Sequence, residues 1–142
     1  MTVWREVSLA AQTSVRGDPQ PGFPVEPNTF SLVGTHPVLW LGPDEWLVIG
    51  ASEDDFPTAA AVVDVSANRA CLEIRGSTAP GLLARGCALD LDAFEVGHCA
   101  QTLIARAEAI LYRPDEDAFR ILVRPSFAGY LGSWLTDAIR AG

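Results

Sequence analysis

The clearest rhythm of apolar positions lies near the C-terminal end of the chain. Phe127, Tyr130, Leu131, Trp134, Leu135, Ala138 and Ile139 fall at i, i+3, i+4, i+7, i+8, i+11 and i+12, the repeat of a helix with 3.6 residues per turn. Ser126 is the expected cap, with Pro125 just before it. Upstream the rhythm changes to a period of two. Ala70, Leu72 and Ile74 alternate with Cys71, Glu73 and Arg75, which predicts a strand with one buried face. Gly76 ends it, and Ser77 can cap a short helix that turns Ala79, Leu82 and Leu83 inward and stops near Gly86.

Further strands are expected at 4–12, at 61–65 and at 98–105, 107–113 and 118–123. The last two are joined by the turn composition Pro114-Asp115-Glu116-Asp117. Val38-Leu39-Trp40-Leu41 and Trp46-Leu47-Val48-Ile49 flank Gly42-Pro43-Asp44-Glu45 and read as a hairpin. Between the first strand and this hairpin, residues 18–37 hold Pro19, Pro21, Pro24, Pro27 and Pro37, none of which can donate a backbone hydrogen bond. A loop of that length is functional, disordered or laid over a partner, and a partner surface is the preferred reading. From 61 onward the order strand, strand, helix, three strands, helix predicts an α+β fold, a largely antiparallel sheet with helices packed on one face.

Length adds the expectation of one domain over 1–142, since 142 residues suit a single core. Charge removes a class of partner. The net charge is -8, and the ten cations are all arginine, so the basic stripe of a nucleic-acid binder is absent. No apolar run approaches the roughly 18 residues of a membrane span, and Trp4, Arg5 and Glu6 stand where a signal peptide needs its apolar centre. A cytoplasmic protein is expected. Cys71, Cys87 and Cys99, an odd number without a CxxC pairing, suit a reducing compartment and read as buried thiols.

The search for chemistry is largely negative. His98 and Cys99 are neighbours that face opposite ways on a strand, so they do not converge as metal ligands. His36, the other histidine, sits in the Pro-rich loop, and a base for a cysteine nucleophile is weakly motivated there. Ser77 and Ser126 lack the GxSxG elbow. Asp44 and Glu45 are adjacent on a turn and have no supporting third group. No GxGxxG or P-loop is present, and a chain without lysine has neither a P-loop lysine nor a Schiff base. Arginine is the sole fixed cation, concentrated in the strand region at Arg69, Arg75, Arg106, Arg113, Arg120 and Arg124. Solvated strand faces are the plain interpretation, and anion or partner recognition is the alternative. Chemistry, if any, is expected outside this chain.

Five stretches in order, 41–47, 64–76, 82–91, 94–103 and 123–131, make the chain similar to the gamma-subunit family of heterotetrameric sarcosine oxidase. They read LGPDEWL, DVSANRACLEIRG, LLARGCALDL, FEVGHCAQTL and VRPSFAGYL. The chain departs from that family's usual text at Pro125, where a second basic residue is usual, and around Gly129 and Gly132, where bulkier or polar residues are usual.

The resemblance implies a fold like part of the folate-binding domain of the glycine-cleavage T-protein. It also implies a place in a four-subunit flavoenzyme that oxidatively demethylates sarcosine to glycine. In that assembly the alpha subunit, the main partner, carries NAD and the tetrahydrofolate-binding half, the beta subunit carries FAD, FMN lies between them, and a small delta subunit completes the complex. No catalytic, cofactor or metal residue carries over to this chain, whose implied role is structural. The same subunit plan would suit a related N-methyl amino acid or amine dehydrogenase, and the fold would suit a free-standing folate-dependent one-carbon protein. Interfaces concentrate aromatic residues and arginine over lysine, so Trp40, Trp46, Arg69, Arg124, Phe127 and Tyr130 are the interface candidates.

Overall fold

The computed structural model describes all of residues 1–142. In chain order its strands and helices are β1 (Val3–Val7), β2 (Gln12–Arg16), β3 (Phe30–Val33), β4 (His36–Gly42), β5 (Glu45–Ile49), β6 (Ala61–Asp64), β7 (Ala70–Arg75), α1 (Ala79–Leu83), β8 (Cys99–Ile104), β9 (Ala107–Asp115), β10 (Ala118–Val123) and α2 (Pro125–Ala141). Where length suggests one domain, the contacts gather into two compact units, Met1–Ser8 with Arg69–Gly142, and Leu9–Asn68. Each holds one five-stranded antiparallel sheet, ordered β1-β7-β10-β9-β8 in the first unit and β3-β4-β5-β2-β6 in the second.

In the first unit, Leu72 and Ile74 of β7, Leu111 of β9, and Phe119, Ile121 and Val123 of β10 share one face by the period of two. They form a buried cluster with Leu82 and Leu83 of α1 and with Leu131, Leu135 and Ala138 of α2. The alternation in β7 does not leave the opposite face wet. Cys71 is 1% exposed and Glu73 2%, so the expectation of one buried face fails there.

The helix stripe is also narrower than its rhythm. Leu131, Leu135 and Ala138 are buried, whereas Phe127 and Tyr130, one turn nearer the N-terminus, are 43% and 50% exposed. Neither expected serine caps its helix. Thr78 precedes α1, and Arg124 precedes α2 with Pro125 at the first helical position. A fixed proline φ suits that position and moves the boundary ahead of Ser126. Gly76 has φ +145°, and a Cβ there would meet Thr2 Cα at 2.6 Å, so the end of β7 can lie against the N-terminal segment only as glycine.

The second unit corrects two further expectations. Residues 4–12 are not one strand: the chain breaks after Val7, and β1 and β2 belong to different sheets. Periodicity reports buried faces and carries no information about which strand pairs with which. The Pro-rich loop is only partly irregular, because the proline-free stretch after Pro27 forms β3, which pairs with β4 from Phe30↔Leu39 to Val33↔His36. Pro37 lies before the first β4–β5 pair, Val38↔Val48, where its missing N–H costs that ladder nothing. Part of the loop before β3 serves this unit's own core, while Val25 is 69% exposed. Phe23, 7% exposed, packs at 5.5 Å from the Trp46 ring and 5.6 Å from Phe56, and Trp46 Nε1 donates to the Pro24 carbonyl at 2.8 Å. Val15, Val38, Val48 and Ala51 complete that cluster. The hairpin at 38–49 forms as expected, with Gly42 paired to Glu45 around Pro43-Asp44.

Candidate functional site

The greatest concentration of charge in the first unit sits on the sheet face opposite its apolar cluster. Arg5 of β1 and Arg120 of β10 are both registered against Glu73 of β7, which places three strands' polar side chains in one row. Glu73 Oε1 accepts from Arg5 Nε at 3.3 Å and Arg75 Nε at 3.4 Å, and Oε2 accepts from Arg120 Nε at 3.0 Å. Arg75 continues outward as a two-pronged pair with Asp115, at 3.3 and 2.9 Å, while Arg120 Nη1 reaches Tyr112 Oη at 3.3 Å.

The electrostatics follow from that geometry. Burial alone would raise the Glu73 pKa, but the Arg120 hydrogen bond and the charges of Arg120, Arg75 and Arg5 outweigh it and hold the carboxyl below its usual value. Burial raises the Tyr112 hydroxyl against the opposing pull of Arg120. Cys71 is pushed up to about 11, chiefly by burial, so its thiol stays protonated and unreactive near neutrality. The row can neutralise a carboxylate and orient arginines; it holds no activated nucleophile.

His98 Nδ1 accepts the Glu95 backbone N–H at 3.1 Å, and its ring packs edge-on against Phe94 at 5.6 Å. It therefore shapes the turn before β8, while Cys99 is buried. Arg113 also works internally, with its guanidinium 4.7 Å above the Phe119 ring and donating to the Phe94 and Glu116 carbonyls at 2.8 and 2.7 Å.

The six interface candidates do not come together. Trp46 is 0% exposed inside the second unit's core and has no surface to offer a partner, which corrects its selection. Trp40 is half-buried beside that same core, and Arg69 is half-buried at the start of the first unit's second segment. Arg124, Phe127 and Tyr130 do share one exposed stretch, the first turns of α2. There the Tyr130 hydroxyl donates to the Ala105 carbonyl at 2.6 Å and fixes the ring's edge while half of the residue stays exposed. Arg5 and Glu73 escaped selection. The signal for Glu73 was its spacing from Arg75, two residues apart on one strand face; nothing in the sequence alone reveals that Arg5 pairs across to it.

No helix is long and apolar enough to cross a membrane. The sarcosine oxidase, gamma subunit family model matches residues 22–141. The sarcosine oxidase subunit gamma of Corynebacterium sp. (strain P-1) is 35% identical, with 95% of this chain and 78% of that protein aligned. The Arthrobacter sp. subunit gamma is 32% identical, over 96% and 79%. Among solved structures, a chain of the heterotetrameric sarcosine oxidase from Corynebacterium sp. U-96, in complex with pyrrole 2-carboxylate, superposes with a TM-score of 0.88 at 29% identity, covering 99% of this chain and 84% of that one. With its fold matched along nearly its whole length and its sequence matched by the family model over more than four-fifths of it, this chain belongs to the sarcosine oxidase, gamma subunit family.

Proposed function

We propose that this chain is the gamma subunit of a heterotetrameric sarcosine oxidase, in which it is a structural, non-catalytic subunit packed chiefly on the alpha subunit, with beta and delta completing the complex in the cytoplasm. The observation that carries this reading is the superposition of 99% of the chain on a chain of a heterotetrameric sarcosine oxidase at 29% identity. The internal chemistry supports it. The histidine next to Cys99 is spent on a turn, the Cys71 thiol is held protonated, and Glu73 is neutralised by arginines of its own sheet.

FAD, FMN, NAD and tetrahydrofolate belong on the partner subunits. The open cleft in the first unit, beside α2, presents Arg140 next to Asp137 and runs along the helix from Gly129 to Arg140, beyond its first four residues. That lining does not fit a dinucleotide, whose pyrophosphate is held by backbone N–H groups at a helix N-terminus.

The test is co-expression with the alpha, beta and delta chains, followed by size-exclusion chromatography and a flavin absorption spectrum. A flavin-bearing complex that contains this chain and oxidises sarcosine is expected. Amine turnover or tight flavin binding by the purified chain alone would overturn the reading.

A further inference from the structure

We propose that the free edge of β1 is a docking strip for an extended segment of a larger subunit of the assembly, one that places an acidic side chain next to an apolar one. The inference rests on the gamma-subunit reading, because it requires a partner chain. Three features of the first unit meet at this strip. The first is the strand itself: β1 is outermost in its sheet, so every second N–H and C=O points away from β7. Val3 is 50% exposed and the Arg5 side chain 68%, so side chains on this strand stand open to solvent.

The second feature is an unbalanced charge. Arg5, Arg75 and Arg120 share two carboxylates, Glu73 and Asp115. Arg75 is clasped by Asp115, and Arg120 spans Glu73 and Tyr112, so the surplus positive charge falls on Arg5. Its Nε is anchored to Glu73, while its two terminal nitrogens carry no bond within the chain. A guanidinium fixed at its neck and open at its fork is set to receive a carboxylate in two-pronged fashion. The chain as a whole carries -8, so an acidic segment is repelled by most of the surface and drawn to this position. The sheet's other edge strand, β8, contains no arginine.

The third feature lies on the opposite face. Trp4 and α2 border an open cleft of about 410 Å³, with Gly129, Gly132 and Ser133 along its wall. Gly132 is explained within the chain, since a Cβ there would stand 2.7 Å from the Trp4 ring. Gly129 is not. A Cβ at Gly129 would meet nothing within 4 Å, although glycine weakens a helix interior. Its missing side chain leaves room for a group from outside.

One geometric rule joins the two faces. Trp4 and Arg5 are consecutive in a strand and point to opposite sides, and consecutive residues of a strand added along β1 must do the same. When its carboxylate meets Arg5, the neighbouring side chain enters the Trp4–α2 cleft.

The experiment measures the affinity of the full chain for the rest of the co-expressed complex, at low and high salt, for the wild type, Arg5→Glu, Gly129→Leu and Leu103→Glu. Arg5→Glu should weaken binding by about tenfold or more and flatten its salt dependence. Gly129→Leu should weaken binding similarly while keeping or raising the melting temperature of the full chain, which separates lost docking from lost folding. Leu103→Glu, on the exposed β8 edge, should bind within about twofold of wild type. Wild-type affinity in both Arg5→Glu and Gly129→Leu overturns the strip and leaves the gamma-subunit reading standing, as does an equal loss in Leu103→Glu. A wild-type chain that fails to join the complex overturns both.

Discussion

The two units close their cores by opposite means. In the first, a regular helix does it: Leu131, Leu135 and Ala138 of α2 recur at helical spacing and meet Ile74, Phe119 and Ile121 of the sheet. In the second, a proline-rich loop does it, laying Phe23 between Trp46 and Phe56 and giving the Pro24 carbonyl to the Trp46 indole. A helix advertises its buried face through a period that can be read along the chain. A loop closes a core through one aromatic ring and one carbonyl whose positions follow no period. The lesson is that a segment with no rhythm can still be structural, and that its proline content says where hydrogen bonds are missing, not whether it is packed.

The largest expected effects test whether the two closures are equivalent. Phe119→Ala and Trp46→Ala each remove a fully buried ring, and each should cost about 3–5 kcal/mol in chemical denaturation. Hydrogen exchange separates them. Trp46→Ala should deprotect amides in Leu9–Asn68 before those of β7, β9 and β10, and Phe119→Ala should do the reverse. If Trp46→Ala cost less than about 1 kcal/mol, the loop would be a cover without structural weight. Trp46→Phe keeps part of the packing but loses the bond to Pro24 and some ring volume, so a cost of about 1–3 kcal/mol, below that of Trp46→Ala, is expected from it.

The ion pairs contrast in the same way and predict intermediate effects. Glu73 is 2% exposed and serves three arginines, whereas Glu45 of the second unit pairs with Arg16 where their side chains are 30% and 57% exposed. Glu73→Gln should cost about 1–3 kcal/mol, because it strips a charged acceptor from hydrogen bonds that are partly buried. Glu45→Gln should cost under about 1 kcal/mol, and salt should erase most of that. The pH dependence has a definite sign. The folded-state pKa of Glu73 lies below its unfolded value, so its contribution is complete above the ordinary carboxylate range and is lost as pH falls through the lowered value. Acid titration of the melting temperature should therefore be steeper in wild type than in Glu73→Gln.

What could be read from the sequence divides along the same line. The strands of β7 to β10, the short helix with Ala79, Leu82 and Leu83 inward, the hairpin at 38–49 and the existence of α2 all follow from periods and turn residues. The second sheet, the split between β1 and β2 and the Glu73 row do not, because each depends on pairing between residues far apart in the chain. Arg5 and Glu73 are 68 positions apart and meet only because β1 lies antiparallel to β7. The same blindness selected Trp46 as an interface anchor. Residue type says that tryptophan is common at interfaces, but whether this one faces a partner or its own loop is decided by Phe23 and Pro24, which no local pattern ties to it.

The smallest expected effect probes the hairpin turn of the first unit whose two connecting residues both take positive φ without being glycine. Ile104 pairs with Ala107, leaving Ala105 and Arg106 as a two-residue connection with φ of 49° and 72°. That backbone matches the twist of the hairpin but favours Asn and Gly over residues with a larger side chain. The turn is held from both sides, since the Ala105 N–H donates to the Gly86 carbonyl at 2.9 Å and the Ala105 carbonyl receives the Tyr130 hydroxyl. Those two bonds offset the strain by fixing Ala105, while the Arg106 side chain is exposed to solvent. Arg106→Gly should therefore stabilise the chain, by under about 1 kcal/mol because glycine's added freedom in the unfolded state cancels part of the relief. Tyr130→Phe should remove one of the two restraints and cost about 1 kcal/mol. Thermal melts of the two single variants and their combination would show whether they are coupled. With the strain already relieved at Arg106, the hydroxyl has less to hold, and its loss should cost less in the double variant than in the wild-type background.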